Sequence, residues 1–228
     1  MKKIIVNADD FGYRPEINKA IIYAHKNGIV KSTSMLVTRA GFDEAVVLAK
    51  ENPELGIGLH IDLDKFFDIE HGKGFVKGWL NGYMPVKETI KTEVRKQIEK
   101  FLSIQIKPDH IDSHHHTHLN PEILPVILEL CKEYGIDKIR FFDKFYKDKT
   151  VCDTMKTLLK QNDIKFPDCF IEGWYYGNVD EDYDICEIMT HPGYGEIWRE
   201  TELAVCCDVI LKEYCQKNNI LIIKFSDL

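Results

Sequence analysis

Short runs of β-branched residues alternate along the chain with longer stretches in which apolar residues recur every three or four positions. The first pair is "KIIVNAD" (3–9), which predicts a strand, and "RPEINKAIIYAHKNG" (14–28), which predicts a helix with Pro15 in its first turn and Gly28 at its end. Further strands are predicted at 30–38, 55–63, 109–114, 136–142, 168–172, 184–190 and 220–225. Further helices are predicted at 42–52, 86–103, 120–135, 151–161 and 200–217.

This alternation predicts the fold class. Strands that alternate with helices form parallel sheets, because each helix carries the chain back to the same end of the sheet. Seven or eight such units favour a (β/α) barrel over an open doubly wound sheet. We therefore expect an α/β protein with a single (β/α) barrel-like domain over residues 1–228. Its sheet should be mostly parallel, and either distorted or seven-stranded relative to a TIM barrel.

Composition and charge narrow the function classes. Apolar residues make up 44% of the 228 residues and charged residues 29%, as in a folded globular protein. The net charge of −7, without a cluster of Lys and Arg, argues against nucleic acid as a partner. The turn "NADDFGYRP" lacks G-x-G-x-x-G, so no dinucleotide site is expected after the first strand. In "MKKIIVNADD" the apolar run ends at Val6, which is too short for an export or membrane segment and predicts a cytoplasmic protein.

The segment 65–85, "KFFDIEHGKGFVKGWLNGYMP", follows neither periodicity. A loop of this length in a compact domain usually has a function or is mobile. Two interpretations stay open, a lid over the active site and a contact between two copies of the chain. Because the loop is rich in apolar residues and barrel edges are short, a homodimer is the oligomeric state that the sequence favours.

Polar residues with catalytic potential lie where the predicted strands end. In a (β/α) barrel this end carries the active site. The clearest segment is "DHIDSHHHTHL" (109–119), which holds five of the nine histidines. The other candidates at strand ends are Asp9, Asp10, His60, Arg140 and His191. Each has a structural interpretation on its own, such as a helix cap or a hydrogen-bonded core histidine, but together they indicate one site.

These residue types are typical ligands of a divalent metal ion. Carboxylate oxygen and imidazole nitrogen suit a hard or borderline cation, and three protein ligands with open positions make a catalytic site. One aspartate and two histidines would suffice. Of the neighbours Asp9 and Asp10, one carboxylate can bind the metal while the other acts as general base toward a water molecule. A nearby cation would keep both carboxylates ionised.

Not all of the clustered histidines can be ligands, because side chains alternate between the two faces of a strand. The face that points away from His115 is predicted to carry His110, Asp112, His114 and His116. Asp112 is then placed to hold a ring nitrogen of a metal-binding histidine. His118, just before "NPE", is expected to help the chain enter the next helix.

The chain as a whole resembles the YdjC-like carbohydrate deacetylases, the family that includes the bacterial chitooligosaccharide deacetylases. The matching segments, in the family's order, are "VNADDFGYRPEINKAI", "GIVKSTSMLV", "LGIGLHIDL", "KPDHIDSHHHTH", "MTHPGY" and "KFSDL". The resemblance implies a barrel-like (β/α) fold that binds Mg²⁺ or another divalent cation such as Zn²⁺. It also implies hydrolysis of an N-acetyl group on an amino sugar, with a small N-acetylated saccharide as the substrate.

The resemblance also implies a role for each matching residue. Asp9 matches the proton acceptor, and His191 matches the late histidine suited to act as the acid. Arg140 matches an arginine that could orient the base or the acetyl carboxylate. The implied metal ligands are Asp10, His60 and His114.

Aromatic rings are expected to pack on the faces of the sugar. The candidates are Phe11, Trp79, Tyr83, Trp174, Tyr194 and Trp198. Two other functions stay open. A metal-dependent phosphoesterase or sugar isomerase on a similar barrel would place basic residues, such as Arg140 and Arg199, at a substrate phosphate. A non-catalytic sugar-binding protein would have lost the base or a metal ligand, whereas every matched position is filled.

Overall fold

The computed structural model describes residues 1–67, 86–173 and 182–228. The strands of this part of the chain are β1 (Lys3–Phe11), β2 (Ser32–Met35), β3 (Gly56–Ile61), β4 (Ile111–Ser113), β5 (Cys169–Glu172), β6 (Ile185–Thr190) and β7 (Leu221–Ile223). The helices are α1 (Pro15–Asn27), α2 (Phe42–Glu51), α3 (Asp64–Phe67), α4 (Lys87–Leu102), α5 (Leu124–Tyr134), α6 (Lys149–Gln161), α7 (Ile197–Cys206) and α8 (Val209–Lys217). Short 3₁₀ helices occupy His114–Leu119, Asp143–Phe145 and Phe225–Asp227.

The strands form one curled sheet in the order β4-β3-β2-β1-β6-β5, with β7 also paired to β1. Each of these pairings is parallel. Strand β1 lies at the centre, and its residues from Ile4 to Phe11 are buried because both faces of the sheet are covered. The sheet forms a half-barrel flanked by helices, which confirms the predicted α/β barrel-like fold. The extent of the single domain stays a prediction.

The segment 136–142 does not form a strand, so that prediction was wrong. This segment makes only two isolated bridges, Ile111 to Ile139 and Lys138 to Lys165. The Arg140 amide donates to the Ile111 carbonyl at 3.0 Å, so the segment still lies against β4. Its neighbour β4 is only three residues long, and the 3₁₀ helix Asp143–Phe145 follows soon after, so a continuous ladder does not form.

The predicted helix at 200–217 is two helices, α7 and α8, separated at Cys207 and Asp208. The Asp208 carboxylate accepts a hydrogen bond of 2.8 Å from the Ile210 amide and so caps the second helix. Other helices follow their apolar stripes. In α4 the buried side chains are Ile90, Val94, Gln97, Ile98 and Phe101, all on the face toward the sheet. No helix in the described ranges is long and apolar enough to cross a membrane.

A buried histidine fills the interior near the start of β4. The His110 ring is stacked on Phe225, with 3.8 Å between ring centroids, and its Nδ1 lies 2.6 Å from the Asp109 carboxylate. Gly58 on β3 passes directly beside this ring. His110 therefore serves packing here, and the space that it occupies exists only because position 58 has no side chain.

We expect Gly58→Ala to destabilise the protein by about 1–3 kcal/mol, because the new methyl group would overlap the His110 ring in a closed core. Chemical denaturation would measure this loss. Val47→Ala on α2, where the side chain is 56% exposed, is the control and should change stability little. Equal stability of the Gly58 variant and the parent would contradict the packing described for His110.

Candidate active site

The C-terminal ends of the strands surround a cavity of about 810 Å³. Its lining residues are Asp9, Asp10, Tyr13, Arg39, His60, Asp64, His114, His115, His116, Glu172, Met189, His191, Trp198 and Arg199. This set includes five of the six residues that the sequence predicted for catalysis or metal binding, and the sixth, Arg140, is buried directly behind Asp9. The predicted convergence of these residues at one end of the barrel is therefore observed.

A bulge in β1 explains how two consecutive aspartates reach the same site. Ala8 pairs with Thr33 and Phe11 with Met35, so β1 contains one residue more than β2 between these pairs. Asp10 has a φ of 72°, in the left-handed region. In a regular strand neighbouring side chains point to opposite faces. The bulge and the left-handed residue instead bring both carboxylates to the cavity.

Asp10, His60 and His114 form a group with the geometry of a metal site. Oδ1 of Asp10 lies 3.1 Å from Nδ1 of His114 and 3.7 Å from Nε2 of His60. This oxygen is buried, and no well-aligned hydrogen bond reaches it from the described residues. Burial alone would raise the pKa of Asp10, but the imidazoles around it hold that pKa well below its usual value. One ionised oxygen and two imidazole nitrogens that face one another suit a divalent cation.

The ring of His60 is held by a carboxylate on its far side. Nδ1 of His60 lies 2.7 Å from Oδ1 of Asp112, which places the Nδ1 proton there and turns the Nε2 lone pair toward Asp10. Ser34 Oγ lies 3.1 Å from the same nitrogen. The prediction that Asp112 would hold a histidine of the site agrees with this geometry.

Asp9 is bound by Arg140 through two hydrogen bonds. Nη1 of Arg140 donates to Oδ2 at 2.7 Å and Nη2 donates to Oδ1 at 2.6 Å. Burial raises the pKa of Asp9, but the Arg140 charge outweighs it and lowers that pKa below its usual value. Oδ2 also lies 4.0 Å from Nε2 of both His60 and His191. Asp9 is thus an ionised carboxylate in a fixed orientation beside the metal-site group.

His191 follows β6 directly and lines the cavity close to Asp9. Its amide donates to Oε2 of Glu202 at 2.5 Å, and its Nδ1 lies 3.6 Å from the same oxygen. Burial lowers the pKa of His191, but Glu202, Asp9 and Asp10 outweigh it, so the pKa is raised above its usual value. The sequence analysis missed Glu202 because a glutamate in the middle of a surface helix carries no motif.

The remaining histidines do not follow the predicted alternation. Strand β4 ends at Ser113, and His115 and His116 have φ values of 55° and 57° in the 3₁₀ helix that follows. Both line the cavity, so the prediction that they face opposite sides is wrong. Burial lowers the pKa of His115 to about 4 and the pKa of His116 well below its usual value, so both rings are neutral near pH 7.

His118 has a structural position. Its Nδ1 lies 2.6 Å from Ser113 Oγ, and its Nε2 lies 2.9 Å from the Arg140 carbonyl oxygen. The fully buried ring therefore ties the turn after β4 to the segment that carries Arg140. The contacts of His118 are structural, but they reach the Arg140 segment rather than the start of the next helix, where the sequence placed its role.

The aromatic candidates are divided by the structure. Trp198 lines the cavity, and Tyr194, near it in the chain, is 38% exposed. Phe11 is fully buried in the core, so the prediction that its ring packs on a sugar was wrong. Tyr13, which the sequence analysis did not single out, also lines the cavity. Trp79, Tyr83 and Trp174 lie outside the described residues, as does most of the predicted loop 65–85.

The described residues thus form a barrel-like parallel sheet that carries a pocket of carboxylates and imidazoles at its strand ends. The chain belongs to the YdjC-like protein family, whose model matches residues 3–217. It is 35% identical to a carbohydrate deacetylase of Brevibacillus brevis over 99% of both chains. It is 34% identical to a carbohydrate deacetylase of Clostridium beijerinckii over 99% of this chain and 100% of that one. A crystal structure of a proposed cellobiose-phosphate cleavage protein from Enterococcus faecalis V583 superposes with a TM-score of 0.81 at 27% identity, covering 99% of this chain and 98% of that one.

We expect Zn²⁺ or Mg²⁺ to raise the melting temperature of the protein, because a ligand that binds only the folded state stabilises it by about 2.7 kcal/mol at one hundred times its dissociation constant. His114→Ala should abolish this shift. His25→Ala, which removes a histidine of α1 outside the cavity, should keep it. A metal-induced shift of equal size in the His114 variant would contradict the site of Asp10, His60 and His114.

Proposed function

We propose that this protein is a metal-dependent hydrolase that removes N-acetyl groups from an amino sugar or a short chitooligosaccharide-type saccharide. The observation that carries the proposal is the convergence of Asp10, His60 and His114 beside the Arg140-bound Asp9. The names of the relatives from Brevibacillus brevis and Clostridium beijerinckii support deacetylation of a carbohydrate as the reaction.

Asp10, His60 and His114 would hold the cation, with Mg²⁺ or Zn²⁺ as candidates. Such a cation would polarise the acetyl carbonyl and lower the pKa of a water molecule. The protein contributes the ligand orientation: Asp112 turns Nε2 of His60 toward the site, and the bulge at Asp10 directs Oδ1 there. Three protein ligands leave positions open for the substrate and water, as a catalytic site requires.

Asp9 is the proposed general base. Its carboxylate is ionised, and the two hydrogen bonds from Arg140 hold it within 4.0 Å of the His60 ring. Arg140 acts as an orienting residue in this proposal, because its guanidinium is fully buried and its donors are directed at carboxylates rather than at the cavity. Asp9 can therefore receive the proton of the attacking water while it keeps its orientation.

His191 is the proposed general acid. The departing sugar amine is too basic to leave without a proton, so the reaction needs a protonated donor on the far side of the acetyl group. His191 meets this need because the Glu202 carboxylate stabilises its imidazolium form. Its Nε2 lies 4.0 Å from Asp9 Oδ2, so the proposed acid and the proposed base are neighbours in the lining of the cavity.

A phosphate ester is the competing substrate, and the name of the Enterococcus faecalis protein mentions cellobiose phosphate. Phosphate recognition needs basic side chains with free donors. The arginines of the cavity wall already bind carboxylates: Arg39 pairs with Asp62 and Asp64, and Arg199 pairs with Asp10 and Glu196. This pairing favours the neutral acetamide as the substrate. A purely sugar-binding role is disfavoured because the base, the acid and the metal group are all present.

We expect the protein to release acetate from N-acetylated mono- or oligosaccharides, to lose this activity on chelation and to regain it when metal is added back. Asp9→Asn should lower kcat at least about 100-fold, because general base catalysis is lost. Acetate release and a panel of phosphate esters would be measured with the same preparations.

Asp43→Asn on α2 removes an exposed carboxylate and should leave the activity unchanged. Asp9→Asn also removes a carboxylate that Arg140 binds. His191→Gln therefore provides a second loss-of-function test, which keeps the pair of Asp9 and Arg140 intact. Acetate release that survives both chelation and the Asp9 change would refute the mechanism. Turnover of phosphate esters alone would favour the competing function.

The raised pKa of His191 predicts the pH dependence. The acid is active when protonated, so kcat/KM should fall as pH rises through that pKa, whereas the ionised Asp9 keeps the base competent down to low pH. Glu202→Gln removes the stabilising charge and should move the alkaline limb downward by about 1 pH unit. Glu200→Gln, on the same helix but bonded to the Gly195 amide, is the control. An alkaline limb that stays in place in the Glu202 variant would exclude His191 as the acid.

A further inference from the structure

Arg199 contacts the Asp10 carboxylate from the side opposite the two histidines. Its Nη2 donates to Oδ2 of Asp10 at 2.6 Å, whereas Oδ1 is the oxygen that faces His114 and His60. The Asp10 side chain is fully buried and that of Arg199 is 8% exposed. The two oxygens of one carboxylate therefore have different partners, a guanidinium on one side and two imidazoles on the other.

Arg199 is itself held in place by its surroundings. Its Nε donates to Oε2 of Glu196 at 3.0 Å, and its Nη1 lies 3.5 Å from the His191 carbonyl oxygen. A Cβ at Gly193 would lie 2.7 Å from the Arg199 Cδ, so this glycine makes room for the arginine stem. The guanidinium lies 4.3 Å from the centre of the Trp198 ring. These contacts hold the Arg199 side chain in the orientation in which Nη2 points at Asp10.

We propose that Arg199 is a positioning residue that reserves Oδ2 of Asp10 and so makes Oδ1 the sole oxygen that this carboxylate offers to a cation. The inference rests on the proposed function, because it assigns a role toward the metal group of that site. A carboxylate with both oxygens free can bind a metal through both of them. With Oδ2 taken by Arg199, Asp10 contributes one ligand atom and leaves the remaining positions to water and substrate.

This role of Arg199 differs from the one that the sequence left open, in which Arg199 would bind the phosphate group of a substrate. A residue that binds a substrate anion needs donors directed into the cavity. Here Nη2 and Nε each donate to a carboxylate of the protein, and Nη1 faces a carbonyl. Arg199 acts through Asp10, and its effect should appear in metal affinity without any substrate present.

The test is calorimetric titration of the metal-free protein with Zn²⁺ alone. We expect the parent to bind one Zn²⁺, and Arg199→Met to bind it about 10-fold to 100-fold more weakly, the range measured when a partner of a metal ligand is removed. Arg199→Lys should lie between the two, because a lysine can donate to Oδ2 but cannot hold Asp10 and Glu196 together. The control is Arg14→Gln, which removes the other arginine paired with Glu196 but does not touch Asp10, and which should bind within about twofold of the parent.

The possible outcomes separate the role of Arg199 from the metal group of the proposed function. Zn²⁺ affinity of Arg199→Met equal to or higher than that of the parent would overturn the role of Arg199 and leave the proposed function standing. Failure of the parent to bind Zn²⁺ would overturn the metal group itself. Circular dichroism would show whether each variant is folded. If Arg199→Met does not fold, Arg199→Lys carries the test: weaker binding supports the role of Arg199, and unchanged binding overturns it.

Discussion

The buried guanidinium of Arg140 is the interaction on which the rest of the site depends. It lies within 3.0 Å of carboxylate oxygens of Asp9, Asp112 and Glu187 in the interior of the barrel. One positive charge cannot balance three buried carboxylates, and burial raises the pKa of Glu187 to about 7, so that group is partly protonated at neutral pH. Asp9 and Asp112 remain ionised. The first thereby keeps the negative charge that the proposed general base needs, and the second keeps the His60 ring in one tautomer.

Much of the fold and the centre of the site follows from local patterns. Most of the predicted strands and helices are present, because their apolar spacing matches faces that the sheet and helices bury. Parallel topology brings strand ends together, and for that reason Asp10, His60 and His114 could be predicted to meet although they are distant in sequence. Asp112 could be predicted as well, since it lies in the same short strand as the histidine cluster. The convergence needed only the strand positions and the chemistry of the side chains, whereas the choice of Asp10, His60 and His114 among the candidates came from the resemblance to the YdjC-like family.

The rest depends on backbone irregularities and on side chains that arrive from helices. Nothing in "HIDSHHHTHL" signals that β4 stops at Ser113 or that His115 and His116 are left-handed, so the alternation predicted beyond that point was wrong. Glu202 and Arg199 belong to α7 and reach the site from the side. Periodicity marks Glu202 only as a polar helix residue, and the sequence suggested Arg199 only as a contact for a substrate phosphate. The segment 136–142 has a strand-like pattern but too short a neighbour to form a ladder.

The bulge in β1 has a consequence for how chemistry is divided between identical residues. Asp9 and Asp10 have the same side chain and are neighbours in the chain, yet Asp9 is bound by Arg140 and Asp10 by Arg199. What separates a proton acceptor from a metal ligand in this proposal is therefore a single backbone angle, the φ of 72° at Asp10. Loss of the bulge would return this stretch to regular strand geometry and turn one of the two carboxylates away from the cavity.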